Sequence, residues 1–79
     1  MNVTVFLYGT LRERFKNYQH HRGVDMALPE GASAKDILSS LGISDKSGAV
    51  AIQEGRILKT DDPVREGASY NIMQPIHGG

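Results

Sequence analysis

The pattern of apolar residues predicts a β-strand near each end of the chain. Residues 3–8 and 68–73 combine β-branched, aromatic and alternating apolar positions, which is typical of extended structure. Residues 3–8 have apolar side chains on both faces of the strand, whereas a half-buried strand needs them on only one. Three shorter segments also have strand character: 24–28, 49–52 and 56–58. The chain is therefore expected to form a sheet of about five strands.

One segment between the second and third strands has the pattern of an amphipathic helix. Ser33 stands at the N-cap position, Asp36 lies in the first turn, and Gly42 stands where a left-handed C-cap belongs. The apolar stripe comprises Ile37, Leu38 and Leu41. This main helix is the best-specified element of the chain.

A second, shorter helix is expected after Gly9. The order of residues from Thr10 to Glu13 fits a capping box, and Leu11 and Phe15 would face the core from one side of the helix. A polar loop over residues 17–23 should follow.

A single helix of about eight residues can cover only one face of a sheet, so we expect a two-layer α+β domain. In β-grasp folds the first and last strands lie side by side in the middle of a mixed sheet. That arrangement would turn five side chains inward: Val3, Val5, Leu7, Tyr70 and Ile72. We therefore expect one β-grasp domain spanning residues 1–79, with a flexible C-terminal tail over residues 75–79.

The same arrangement leaves Phe6, Tyr8 and Met73 for the solvent face, next to Pro75 and Ile76. An exposed apolar cluster on a small protein often marks a partner surface. The alternative is that Phe6 or Tyr8 packs beneath the polar loop.

Composition excludes several classes of function. The 79 residues include nine basic and nine acidic side chains, which gives no general electrostatic case for nucleic acid or an anionic membrane. A local basic cluster comprises Arg12, Arg14, Lys16 and Arg22, and a solvated helix face explains it best. The absence of cysteine excludes disulfides and cysteine metal sites. No segment resembles a membrane span or a signal peptide, so a cytoplasmic protein is expected.

No metal site is predicted. His20 and His21 are adjacent in the polar loop and have no acidic or thiol partner close in sequence. Neighbouring residues do not share a helix face, and a catalytic metal site usually needs three protein ligands. A solvated loop is the simpler interpretation.

The chain ends on Gly78 and Gly79. Glycine has no Cβ, so a diglycine tail can run through a slot too narrow for other residues, with its terminal carbonyl carbon open to attack. A frayed terminus is the alternative interpretation of the tail taken alone.

In these features the chain resembles the MoaD/ThiS family of ubiquitin-like sulfur carrier proteins. The resemblance rests on the order of five segments and covers nearly the whole chain: 3–13, 28–38, 53–56, 63–67 and the terminal 78–79. The segment from Gly9 to Gly23 is more similar to the molybdopterin synthase small subunit than to the shorter thiamine sulfur carriers.

The resemblance implies a carrier without catalytic machinery of its own. The Gly79 carboxylate would be adenylated by an E1-like enzyme that uses ATP and Mg²⁺, then converted to a thiocarboxylate by a persulfide sulfur donor. It also implies a larger synthase subunit as a partner and no cofactor bound by the chain itself. The residues expected to contact these partners are Phe6, Tyr8, Met73, Pro75, Ile76, His77 and Gly78. His77 departs from the small or apolar residue that is usual in the family, and contact with the partner's cleft is its expected role.

Two alternatives share this tail chemistry. A thiamine-type carrier would deliver sulfur to a thiazole precursor, and a ubiquitin-like modifier would transfer its activated glycine carbonyl to lysine amines. A plain interaction module, in which the tail is incidental, is a third.

Overall fold

The computed structural model describes residues 1–44 and 47–74. The regular structure of these residues includes five strands, a 3-10 helix over Gly9–Arg14 and one α-helix. In chain order, they are β1 (Asn2–Leu7), the 3-10 helix, β2 (Val24–Ala27), α1 (Ala34–Ser40), β3 (Val50–Gln53), β4 (Arg56–Ile57) and β5 (Ser69–Met73).

The strands form one mixed sheet in the order β2-β1-β5-β3-β4. The central pair, β1 and β5, is parallel, and Val5 lies opposite Tyr70. The remaining pairs are antiparallel: β2 with β1, β3 with β5, and β4 with β3. The first and last strands therefore lie side by side at the centre of the sheet, as the sequence predicts.

The core lies between α1 and the inner face of the sheet. All five side chains predicted to point inward are at most 2% exposed. Ile37 of α1 is fully buried and Leu38 nearly so, and both pack in the same cluster. Burial of a side chain of this size contributes about 1.5–3 kcal/mol to stability. The α+β architecture predicted from the apolar pattern is confirmed.

The two ends of α1 are closed as the sequence predicts. The Asp36 carboxylate accepts a hydrogen bond of 2.7 Å from the Ser33 backbone N–H, as in a capping box. Gly42 has φ +74°, and the Ile43 N–H donates to the Leu38 carbonyl at 2.9 Å. This Schellman motif satisfies a carbonyl that the last turn of the helix would otherwise leave unpaired.

The capping box predicted at Thr10 is wrong. Gly9 has φ +62° and already belongs to the 3-10 helix, whose N-cap residue is Tyr8 without a side-chain cap. Thr10 is thus inside the helix and lacks the extended conformation that an N-cap needs. The predicted orientation holds, because Leu11 is fully buried and Phe15 packs at the edge of the core.

The hairpin between β3 and β4 contains a strained residue. Glu54 and Gly55 form its two-residue turn, with φ +52° and +79°. Both central positions of such a turn need positive φ, which glutamate adopts at a cost and asparagine adopts readily.

We predict that Glu54→Asn stabilises the protein by about 0.5–1 kcal/mol, because it removes backbone strain without changing a buried contact. The free energy of unfolding from urea denaturation measures the effect. Glu30→Asn is the matched control, since exposed Glu30 also precedes a glycine of positive φ but has negative φ itself. An equal gain in both variants would show that strain at Glu54 is not the cause.

Candidate functional site: the outer face of the sheet

An apolar surface runs across β5, β3 and β4 on the side of the sheet opposite α1. Val50 lies opposite Met73, and Ile52 lies opposite Ile57. Ile57 and Met73 are the exposed large apolar side chains of the described residues, 63% and 45% accessible. We refer to Val50, Ile52, Ile57 and Met73 as the apolar face.

Met73 was predicted for this surface from the sequence, whereas the other three members were not. The two-residue turn at Glu54 and Gly55 already pairs Ile52 with Ile57, so the sequence contains the signal that they share a face. Which face they share depends on the pairing of β3 with β5, a contact between segments distant in the chain.

Phe6 and Tyr8 lie on the same side of the sheet but are half-buried. The imidazole of His20 packs edge-on against both rings, with centroids 6.0 Å from Phe6 and 4.9 Å from Tyr8. The expected aromatic surface therefore forms only in part. The alternative prediction, in which the polar loop packs over these residues, describes the structure better.

The loop over residues 17–23, which we call the His20 loop, is tied to β1 through Tyr18. The Leu7 N–H donates a hydrogen bond of 2.8 Å to the Tyr18 hydroxyl, which lies 3.0 Å from His20 Nδ1. The phenol donates to this nitrogen or accepts from it, according to the tautomer of His20. Tyr18 thus holds His20 in position and satisfies the backbone of a buried strand residue.

Gly23 allows the backbone of the His20 loop to lie close to the sheet. Its φ is +69°, and a Cβ there would lie 2.9 Å from the Val5 carbonyl oxygen and 3.0 Å from the Phe6 ring. Any larger residue would displace the ring or the strand. Asn17, at the other end of the loop, also has positive φ, +67°.

The predicted reactive tail, residues 75–79, lies outside the described residues, as do the expected contacts of Pro75, Ile76, His77 and Gly78. The strand that leads to the tail is described. Ile72 accepts a hydrogen bond of 3.1 Å from the Tyr8 N–H, and Met73 lies opposite Val50. The last strand therefore ends between β1 and β3, beside the apolar face.

The basic cluster is exposed, as expected for solvated side chains: Arg12, Arg14, Lys16 and Arg22. Within residues 1–44 and 47–74, no group of three or more His, Cys, Asp or Glu side chains is arranged to hold a metal ion. None of the helices in these ranges is long and apolar enough to cross a membrane.

Neither a scan against protein-family models nor a search of curated protein sequences finds a match for this chain.

Two solved structures are similar over nearly their whole length. The crystal structure of SAMP1 from Haloferax volcanii is 17% identical, with 100% of both chains covered and a TM-score of 0.75. A putative molybdopterin converting factor subunit 1 from Pyrococcus furiosus is 15% identical, with 95% of this chain and 98% of that chain covered and a TM-score of 0.71. At these identities the likeness establishes the fold. The chain has the ubiquitin-like β-grasp fold, and the resemblance drawn from its sequence is confirmed at that level.

Proposed function

We propose that this chain is a sulfur carrier protein of molybdopterin biosynthesis whose reactive group is the Gly79 carboxylate. The observation that carries the proposal is that the central strand β5 leads, within six residues of Met73, to the pair Gly78-Gly79. The fold shared with a putative molybdopterin converting factor subunit 1 supports the choice of pathway. A rigid body would then present a narrow tail to successive partners.

In the proposed chemistry, a separate enzyme first activates the Gly79 carboxylate. A carboxylate is a poor electrophile, so an E1-like enzyme uses ATP and Mg²⁺ to form an acyl-adenylate at Gly79 and releases pyrophosphate. The terminal sulfur of a persulfide donor then displaces AMP to give an acyl disulfide, and a thiol that attacks the donor's sulfur releases the thiocarboxylate and leaves a disulfide on the donor. The 79 residues contain no glycine-rich loop of the kind that binds the phosphates of ATP, so the activating ATP would be bound by the partner.

The absence of cysteine suits this chemistry. A thiolate of the carrier itself could attack the acyl-adenylate and divert it into a thioester. The 79 residues contain no such thiol, so sulfur would reach Gly79 from the partner.

In this proposal, the apolar face binds the adenylating enzyme while the tail enters its active site. Ile57 and Met73 are the exposed large apolar side chains of residues 1–44 and 47–74, and Met73 ends the strand that leads to the tail. A few well-packed side chains near the centre of an interface commonly carry most of its binding energy. A larger synthase subunit, which would accept the carrier after sulfur loading, could use the same face in turn. The cytoplasmic location expected from the sequence is part of this proposal.

We predict that the chain, incubated with the E1-like enzyme of the same organism, ATP, Mg²⁺, a persulfide donor and a thiol reductant, exchanges one terminal oxygen for sulfur. Intact-protein mass spectrometry detects the exchange. A variant lacking Gly78 and Gly79 is the control and should keep its mass while retaining the circular dichroism spectrum of the full chain. An unchanged mass of the full chain would contradict the proposal, and Gly-Gly remnants on lysines of other proteins would instead favour a ubiquitin-like modifier.

We predict that Ile57→Glu raises the KM of the adenylating enzyme for the carrier at least about tenfold, since it places a charge within the apolar contact. Because Ile57 is exposed, the free energy of unfolding should change by no more than about 0.5 kcal/mol. Steady-state release of pyrophosphate measures the KM.

Ala27→Glu provides the matched control. Ala27 is exposed on β2, at the opposite edge of the same sheet. Equal effects of the two substitutions would show that general charge, rather than the apolar face, governs binding.

A further inference from the structure

The His20 loop divides the outer side of the sheet into an open half and a covered half. On β3, β4 and β5 the apolar face is accessible, with Ile57 63% and Met73 45% exposed. At β1, Phe6 and the residue that follows the strand, Tyr8, are half-buried, and His20 packs edge-on against both rings. The two halves adjoin, because Phe6 lies opposite Asn71, which in turn lies opposite Ile52.

Few hydrogen bonds hold the His20 loop against β1, although the Tyr18 ring also packs against the core. The backbone hydrogen bonds within residues 18–23 stay local: Arg22 and Gly23 both donate to the Gln19 carbonyl, at 3.0 and 2.9 Å. The described hydrogen bonds from the loop to β1 pass through the single hydroxyl of Tyr18. The ring of His20 touches the rings of Phe6, Tyr8 and Tyr18.

The ends of the loop favour this closed position. Asn17 and Gly23 have left-handed backbone conformations, and Gly23 leaves no room for a Cβ between the loop and Phe6. The chain therefore turns back at both ends, and His20 reaches over the sheet. Apart from the packing of Tyr18 against the core and of Gly23 beside Phe6, the loop closes through one phenol and the ring contacts of His20, and such a loop can open at modest free-energy cost.

We propose that the His20 loop is a displaceable cover over Phe6 and Tyr8, and that the adenylating enzyme moves it aside to extend its contact from the apolar face onto these two aromatic rings. The inference rests on the proposed function, which supplies the partner. The occupant follows from continuity, since a protein surface that binds the apolar face meets His20 at the next strand. Displacement exchanges the edge-on contacts of one imidazole for burial of two aromatic side chains against the partner.

The affinity of the full chain for the adenylating enzyme tests the cover. Because binding requires the open loop, the apparent Kd is the intrinsic Kd divided by the open fraction. His20→Ala removes all three ring contacts and should lower the Kd about three- to tenfold. His20→Phe keeps a ring over Phe6 and Tyr8 and should bind no more tightly than the wild type. Titration calorimetry without ATP gives each Kd.

His21→Ala is the matched control, because His21 is the exposed neighbour of the same residue type. Its Kd should equal that of the wild type. A weaker complex with His20→Ala would show that His20 is itself a contact residue, and an unchanged Kd would show that the loop stays closed in the complex. Either result overturns the proposal.

Hydrogen exchange in the free chain tests whether the Tyr18 hydroxyl ties the His20 loop to β1. Tyr18→Phe keeps the ring but removes the hydroxyl that accepts the Leu7 N–H at 2.8 Å. Amide hydrogen exchange at Leu7 should become faster and the Kd for the enzyme should fall, as in His20→Ala. Unchanged exchange at Leu7 would overturn the role of Tyr18 as the tether.

These results separate the cover from the proposed function. If the wild-type chain binds the enzyme but gains no sulfur, the proposed chemistry fails while the Kd series still decides the cover. If sulfur is gained and His20→Ala binds like the wild type, only the cover fails. Absence of any binding by the wild-type chain would overturn both.

Discussion

The parallel pairing of β1 with β5 is the constraint on which the rest of the structure depends. It joins the two ends of the chain at the centre of the sheet, and places Val5 opposite Tyr70 and Leu7 opposite Ile72, all fully buried. A parallel pair needs a long crossover connection, and here the intervening residues supply both the helix that covers the inner face and the hairpin at the far edge. The strand that leads to Gly79 is therefore anchored on both sides.

The inner and outer faces of β1 and β5 have different roles. Their inner residues pack against α1, whereas their outer residues include Phe6 under the His20 loop and Met73 in the open apolar face. Stability and the proposed partner binding consequently use alternate residues of the same strands. Substitutions on the outer face can alter binding with little effect on the core, which makes the proposed docking surface experimentally separable from folding.

Signals from neighbouring residues predicted the structure correctly where contacts between neighbouring residues stabilise it. The Ser33, Asp36 and Gly42 pattern predicted both ends of α1, because each cap forms within a few residues of the helix. The same type of signal failed at Thr10, where Gly9 starts a 3-10 helix before the expected cap. The predicted aromatic surface was only partly correct, because the contact of His20 with Phe6 joins residues 14 positions apart and leaves no periodic pattern.

The sequence by itself determined the layer architecture, the inward residues of the central strands and the ends of α1, since side-chain alternation and helix capping depend on neighbouring residues. Only the tertiary structure decided which outer residues are open. Through the pairing of β3 with β5, Ile57 became the most exposed large apolar side chain among the described residues. Tyr8 became half-buried through a loop tied to β1 by one phenol. Both outcomes depend on contacts between distant segments, and the energy of such contacts depends on geometry that a linear pattern does not contain.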